Sequence, residues 1–226
     1  MQLHPWSNRP RGLIVSVIAV LMLVPMAAPG PSRAQDKPAE SAAAAAPDIK
    51  VPKGTLDAVT AILTRRSIRD YTPRPVPEDT IKLLLAAGMA APSAFNERST
   101  EFVVVNDPKI LKEMPQVNPQ SLQLKKMTVC IVVCGNQNKE KNKGQGYWQL
   151  DGAVASENIL IAAHALGLGA VWTAVYPYPD RIPKLQKMLN LPPEVIPLNI
   201  IPIGYPAERK MPENRFDPGR VHYNRW

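Results

Sequence analysis

Arg65-Arg66-Ser67-Ile68-Arg69 gathers three guanidinium groups and a hydroxyl within five residues. A guanidinium fork matches the oxygens of a phosphate two at a time. Ahead of it, Leu56, Val59, Ala61, Ile62 and Leu63 fall at near-helical spacing, with Thr55 placed as a cap before Asp57, so a first helix is expected to end close to Arg65. A helix C-terminus carries negative partial charge, and an anion here is therefore held by arginine side chains and not by the dipole. The competing interpretation is that the arginines only cap the helix and face water, as charge clusters usually do.

Working outward, Pro77 with Glu78 and Asp79 opens a second helix carrying Ile81, Leu84, Leu85 and Ala87. Ala91-Pro92-Ser93-Ala94-Phe95-Asn96 breaks that pattern and leads into a strand at Phe102–Val105, bounded by Asn106, Asp107 and Pro108. Thr128–Cys134 predicts a buried strand, followed by a polar loop to Gly146 and a long apolar helix from about Trp148 to Leu166, closed by Gly167. Gly169–Val175 predicts a third strand, Arg181–Leu189 a helix, and Val195–Ile203 a last strand despite Pro197 and Pro202. After Gly204-Tyr205-Pro206 the remaining residues include Arg209, Lys210, Arg215, Arg220 and Arg225 but little apolar material. Such a tail is expected to pack on something else, a second subunit being the natural candidate.

Upstream, Arg9 and Arg11 precede an apolar run from Leu13 to Val24, and Ser32-Arg33-Ala34 offers small residues where a signal peptidase cuts. Residues 1–34 are therefore expected to be a signal peptide, giving an exported, periplasmic or extracellular protein. The run is shorter than the roughly 20 residues of a membrane span, which makes a retained anchor the alternative. Pro10 separates the two arginines, so this is not a twin-arginine signal. Residues 35–54, with Ala42 to Ala46 among Pro38, Pro47 and Pro52, compose an Ala/Pro-rich linker, and the folded domain is expected over 55–226.

The chain has 226 residues, 45% hydrophobic, which is ample for one core. Lys and Arg number 27 against 19 Asp and Glu, for a net charge of +8. That charge is spread along the chain instead of forming one basic helix or arm, which argues against nucleic acid as a partner. The densest basic run, Lys139, Lys141 and Lys143 around Glu140, predicts a solvated loop. Cys130 and Cys134, four residues apart in one strand, are about 13 Å apart at ~3.3 Å per residue and cannot pair, so both are expected to be buried thiols. His164 lies seven residues after Glu157 on an apolar helix and lacks the spacing of a helical metal pair, so no metal site is expected. Gly167-Leu168-Gly169 follows a helix and precedes a strand, the reverse of a dinucleotide fingerprint.

The four ordered motifs at Arg65–Arg69, Ala91–Asn96, Ala165–Trp172 and Gly204–Pro206 together resemble the nitroreductase family of flavoproteins, over about residues 55 to 226. The resemblance implies an α+β fold with a central, mostly antiparallel sheet flanked by helices, and a homodimer with exchanged C-terminal tails and FMN at its interface. It implies that Arg65, Arg66, Ser67 and Arg69 hold the FMN phosphate and ribityl chain. Pro92, Ser93 and Asn96 then approach the isoalloxazine ring from the partner subunit. Trp172, Thr173 and Ala174 lie along the flavin with their backbone groups near the ring nitrogens. Arg215 fits the family's late basic residue near the phosphate, with Arg209 and Lys210 as weaker candidates. Tyr147 and Trp148 either shield the flavin face or pack the helix start.

The implied activity is electron transfer from NAD(P)H through FMN to a nitroaromatic, quinone or similar small acceptor, without an assigned catalytic acid or base. One departure stands out. The family usually continues from the Asn with one residue and then Gln, Pro and Trp, whereas here Asn96 is followed by Glu97-Arg98-Ser99-Thr100. A flavin-dependent dehalogenase or flavin-cleaving enzyme on the same fold thus stays open, as does an exported flavin-binding protein without nicotinamide-dependent turnover.

Overall fold

The computed structural model describes residues 51–119, 121–141 and 145–226. The expected signal peptide, the linker ahead of Val51, and Lys143 lie outside the described residues. Helix α1 (Ala58–Thr64) is capped by the Asp57 carboxylate, which accepts from the Thr60 amide at 3.0 Å. Thr55 is therefore not the cap. Its hydroxyl donates instead to the Pro52 carbonyl. Hydrogen bonds from Thr60 hold the Asp57 carboxyl below its usual pKa. Helix α2 (Glu78–Met89) starts after Pro77, with both acids in its first turn, and buries Ile81, Leu84 and Gly88.

The sheet comprises β1 (Thr100–Val105), β2 (Val129–Asn136), β3 (Gly169–Ala170), β4 (Thr173–Ala174) and β5 (Val195–Gly204). Its order is β1-β2-β5-β3, with β4 also paired to β5, and every ladder is antiparallel. The fold is thus α+β with an antiparallel sheet, joined by one isolated parallel bridge between Ser67 and Ala170.

The two prolines of β5 explain its irregularities. Pro197 sits beside the shift in β2–β5 register between Val133 and Cys134, a bulge position that tolerates a missing donor. Pro202 points its carbonyl toward the Tyr71 hydroxyl, on the side away from β2, and so cannot donate to a neighbour on that edge. The expected single strand Gly169–Val175 consequently splits. Gly169–Ala170 pairs with Gly204 and Ile203, Thr173–Ala174 pairs with Ile200 and Asn199, and Val171-Trp172 between them leaves the ladder.

Both faces of β2 are covered. Cys130, Val132 and Cys134 face Met114, Val117, Leu124, Val175 and Leu185. Ile131 and Val133 face Leu84, Ile159, Leu160 and Ala163 from α2 and helix α4 (Tyr147–Ala165). Three layers result: α2 and α4, the sheet, then α3 (Pro108–Glu113) with α5 (Ile182–Leu189). Coverage on both sides explains why β2 is continuously apolar. Cys130 and Cys134 are free and buried, as their spacing requires, and burial pushes each thiol up to about 12, with Glu101 adding to the shift at Cys134. Neither is a reactive thiol.

Helix α4 begins at Gly146, which offers no side-chain cap. The Glu140 carboxylate, only 1% exposed, accepts from the Trp148 amide at 3.2 Å in its place. The Lys139–Lys141 run is therefore only partly a solvated loop, because the acid between two exposed lysines is a buried structural group. At the other end Gly167, at φ +76, turns the chain and lets Leu168 donate to Ala163. Helix α3 was not expected: Asp107-Pro108, read as the end of β1, is also its cap and first residue. Among the described residues no helix is long and apolar enough to cross a membrane.

Candidate functional site

The arginine motif leaves α1 through Arg65, whose Nε donates to Glu157 on α4 at 3.2 Å. Arg66 spends its donors on backbone: Nε on the Met211 carbonyl at 3.1 Å, Nη1 on that of Arg65 at 2.7 Å, and Nη2 on that of Glu213 at 3.0 Å. This leaves two of five N–H groups. Arg66 thereby ties the start of the C-terminal tail to the motif and brings Arg215 to the same groove of about 590 Å³ that Arg65 and Arg66 line. Arg215 pairs with Glu213 at 3.3 Å, but both side chains are exposed, and such a pair is worth about 0–1 kcal/mol.

Ser67 and Arg69 behave differently. The Ser67 carbonyl accepts from Lys210 at 2.8 Å and the Arg69 amide donates to Glu208, yet the Ser67 hydroxyl and the exposed Arg69 guanidinium make no hydrogen bond or ion pair with the described residues. The amide of Arg69, and then Lys210, hold the Glu208 carboxyl below its usual pKa. Lys210 thus anchors the backbone of the motif, whereas Arg209 only borders a neighbouring cleft. His164 lies behind the motif and meets Thr64 Oγ1 at 2.9 Å. Burial pushes its pKa down, and Arg65 and Arg66 add to the effect. Among the described residues no group of three or more His, Cys, Asp or Glu is placed to hold a metal.

The second group follows α2. Phe95, Asn96 and Arg98 adopt φ of 51°, 56° and 51°, a conformation costing on the order of 1 kcal/mol or more per residue. Three contacts hold it. The Ala94 amide donates to Asp151 Oδ1 at 2.9 Å, the Arg98 amide to Ser93 Oγ at 3.0 Å, and Arg98 Nε to Asn96 Oδ1 at 3.0 Å. Pro92, Ser93, Asn96, Arg98 and the buried Asp151 line one cavity of about 530 Å³. Phe95 stands 70% exposed at this loop and meets Tyr147 edge-on at 5.7 Å, while Trp148 is buried against Tyr176. Tyr147 therefore belongs to the site's rim and Trp148 to packing. Asp151 was not expected as a site residue; the signal was there, as an acid in the apolar stretch of α4.

Trp172, Thr173 and Ala174 line neither the groove nor the cavity. Thr173 is buried and accepts from Gln123 at 2.9 Å, and the Ala174 carbonyl accepts from Arg181 at 2.8 Å. Within one chain the expected site residues thus form three groups: an arginine groove, a loop cavity and a short edge strand.

The Nitroreductase family model matches residues 62–205, which spans the arginine motif, the loop cavity and the edge strand. The chain belongs to the nitroreductase family. A Methanothermobacter thermautotrophicus relative, named provisionally as an NADH dehydrogenase/NAD(P)H nitroreductase, is 46% identical over 179 residues, 79% of this chain and 92% of its own. The crystal structure of a protein from Parabacteroides distasonis with the same provisional name is 46% identical, superposes with a TM-score of 0.70, and covers 75% of this chain and 98% of its own. An FMN-dependent nitroreductase from Clostridium difficile is 29% identical, with a TM-score of 0.69 over 74% of this nitroreductase-family chain and 99% of its own.

Proposed function

We propose that this chain is an FMN-dependent NAD(P)H oxidoreductase that passes electrons to a nitroaromatic, quinone or similar small acceptor and works as an exported homodimer. The observation that carries the reading is the Arg65–Arg69 pentapeptide, in which the Ser67 hydroxyl and the Arg69 guanidinium make no hydrogen bond or ion pair with the described residues while Arg65 and Arg66 line a groove with Arg215. A phosphomonoester needs such a set of cationic donors and a hydroxyl, so these residues fit the phosphate end of FMN.

The dimer is supported by what one chain leaves uncovered. Val59, Ile62 and Leu63 of α1 are each more than half exposed, and residues 211–226 are exposed throughout, Trp226 completely. A second subunit covers such surfaces. It would also bring the partner's loop cavity to the arginine groove, which explains why one chain holds the site in separate pieces. Export is supported by the Arg9–Ala34 leader sequence.

FMN, when bound, supplies the two-electron chemistry of accepting a hydride and giving electrons up again. Ser67 and Arg69 bind its phosphate, with Arg215 delivered by the Arg66 tether. The backbone of Trp172–Ala174 orients the ring, and Pro92, Ser93 and Asn96 bound the cleft and keep water out of it. Donor and acceptor use the same cleft in turn, which predicts parallel lines in double-reciprocal plots. The first test is the visible spectrum of the purified protein before and after anaerobic NADPH or NADH. Flavin absorbance that bleaches is the expected result; a colourless protein that takes up no FMN overturns the reading.

A further inference from the structure

We infer that Gln123 and Arg181 are positioning residues that fix the two-residue strand β4 as a rigid edge for the flavin ring and thereby help to set the potential of the bound cofactor. The inference rests on the oxidoreductase reading above, which sets the ring against Trp172–Ala174.

The first observation is where β4 lies. Ser67 bridges to Ala170, and Ala170 and Thr173 pair with Ile203 and Ile200, three residues apart on β5. The strand therefore starts about 10 Å from the bridge at ~3.3 Å per residue, a span that a ribityl chain covers. The second is the direction of its backbone. The Val175 amide donates to the Leu198 carbonyl at 3.0 Å, so by the alternation of a strand Thr173 also faces β5 while Ala174 faces the other edge. Among the described residues no further strand pairs with that edge, and no loop or side chain accepts from the half-buried Ala174 amide.

The third observation is how firmly so short a strand is held. Two ladder pairs fix little by themselves. Gln123, buried on the segment between α3 and β2, donates through Nε2 to Thr173 Oγ1 at 2.9 Å. Arg181, at the start of α5 and stacked over Tyr178 at 3.8 Å, donates through Nη1 to the Ala174 carbonyl at 2.8 Å. From the opposite layer, Ser156 of α4 accepts from Asn199 at 2.8 Å, and Asn199 is the ladder partner of Ala174. Convergence of this kind on a two-residue edge with an open amide is the support that a preorganised site needs. Backbone donors held against a flavin stabilise its electron-rich reduced form more than its oxidised form, so loosening β4 lowers the midpoint potential.

The test is a spectroelectrochemical titration of the FMN-loaded protein, in the parent and in variants, with a melting temperature recorded beside each potential. Gln123→Leu and Arg181→Gln are each expected to lower the ratio of affinities for reduced and oxidised FMN by roughly 10-fold, the worth of one hydrogen bond, which reads as about 30 mV for a two-electron couple. The visible bands of the oxidised flavin shift with it. Thr173→Val reproduces Gln123→Leu and the double variant adds nothing further, while Arg181→Lys recovers most of the loss because an ammonium still donates to the carbonyl. Variants that melt earlier but keep the parent's potential and spectrum overturn the proposal, since the two bonds are then ordinary packing. Effects of Gln123→Leu and Thr173→Val that simply add overturn it as well. Arg181 is only partly buried, so its variants keep the test open if Gln123→Leu folds poorly. A parent protein that takes up no FMN breaks the oxidoreductase reading and this inference together; a flavin-loaded parent with unmoved variants breaks this inference alone.

Discussion

Strand β2 and the tail from Met211 to Trp226 are the two extremes of the molecule. Every residue of β2 but Asn136 is buried and Cys130 to Gly135 are paired on both edges, whereas every residue of the tail is exposed. The first is complete within one chain. The second carries Met211, Phe216, Tyr223 and Trp226 into solvent and is tied back chiefly through backbone, by Arg66. Stability is therefore a property of the single chain's sheet, while on the proposed reading the tail contributes to cofactor binding and takes its packing from a second subunit.

The contrast breaks most visibly at the centre of the sheet. Ile131→Ala removes a fully buried side chain between α2, α4 and β5 and is expected to cost about 2–5 kcal/mol, read as a shift of the urea midpoint. If a second subunit covers the exposed Tyr223 as proposed, Tyr223→Ala is expected to leave the melting temperature of dilute protein unchanged and to fall increasingly behind the parent as protein concentration rises. Equal effects at all concentrations contradict the assignment of the tail to a second subunit.

Smaller effects sharpen the division between loop and core. Asp151→Ala leaves the Ala94 amide without its acceptor and is expected to cost about 1–3 kcal/mol while loosening the strained loop, seen as faster hydrogen exchange at Phe95–Arg98. Glu140→Ala removes the stand-in cap of α4 for about 1 kcal/mol, and Glu140→Gln restores most of it, since an amide oxygen still accepts from Trp148. The smallest effect is a pH dependence at His164. Its pKa is lowered in the folded chain, so the folded form binds fewer protons than the unfolded one, and stability falls as pH drops below 6.5 toward the folded value. His164→Gln flattens that limb of the stability curve.

How much of this was legible in the sequence follows from the same contrast. The β2 run and α4 were readable because a segment buried on both faces, or a long apolar helix, is marked residue by residue. Gly169–Val175 was not readable as two pieces, because the break is imposed by Pro202 on a different strand. Arg65–Arg69 stood out in the sequence as a cluster of guanidinium groups, but which protein groups each of them bonds was not legible. Arg66 bonds to carbonyls of Met211 and Glu213, which every residue carries and no sequence pattern displays. Asp151 was visible only as a residue out of place, an acid in an apolar helix.

The most direct test of the central claim compares the affinity of the protein for FMN and for riboflavin, in the parent and in Arg69→Ala. Arg69 is the motif's exposed guanidinium and makes no hydrogen bond or ion pair with the described residues, so on the proposed reading its loss removes a phosphate contact and little else. The expected result is that FMN binding weakens by roughly 10- to 100-fold while riboflavin binding is unchanged. Equal losses for the two flavins, or no loss for either, would contradict it.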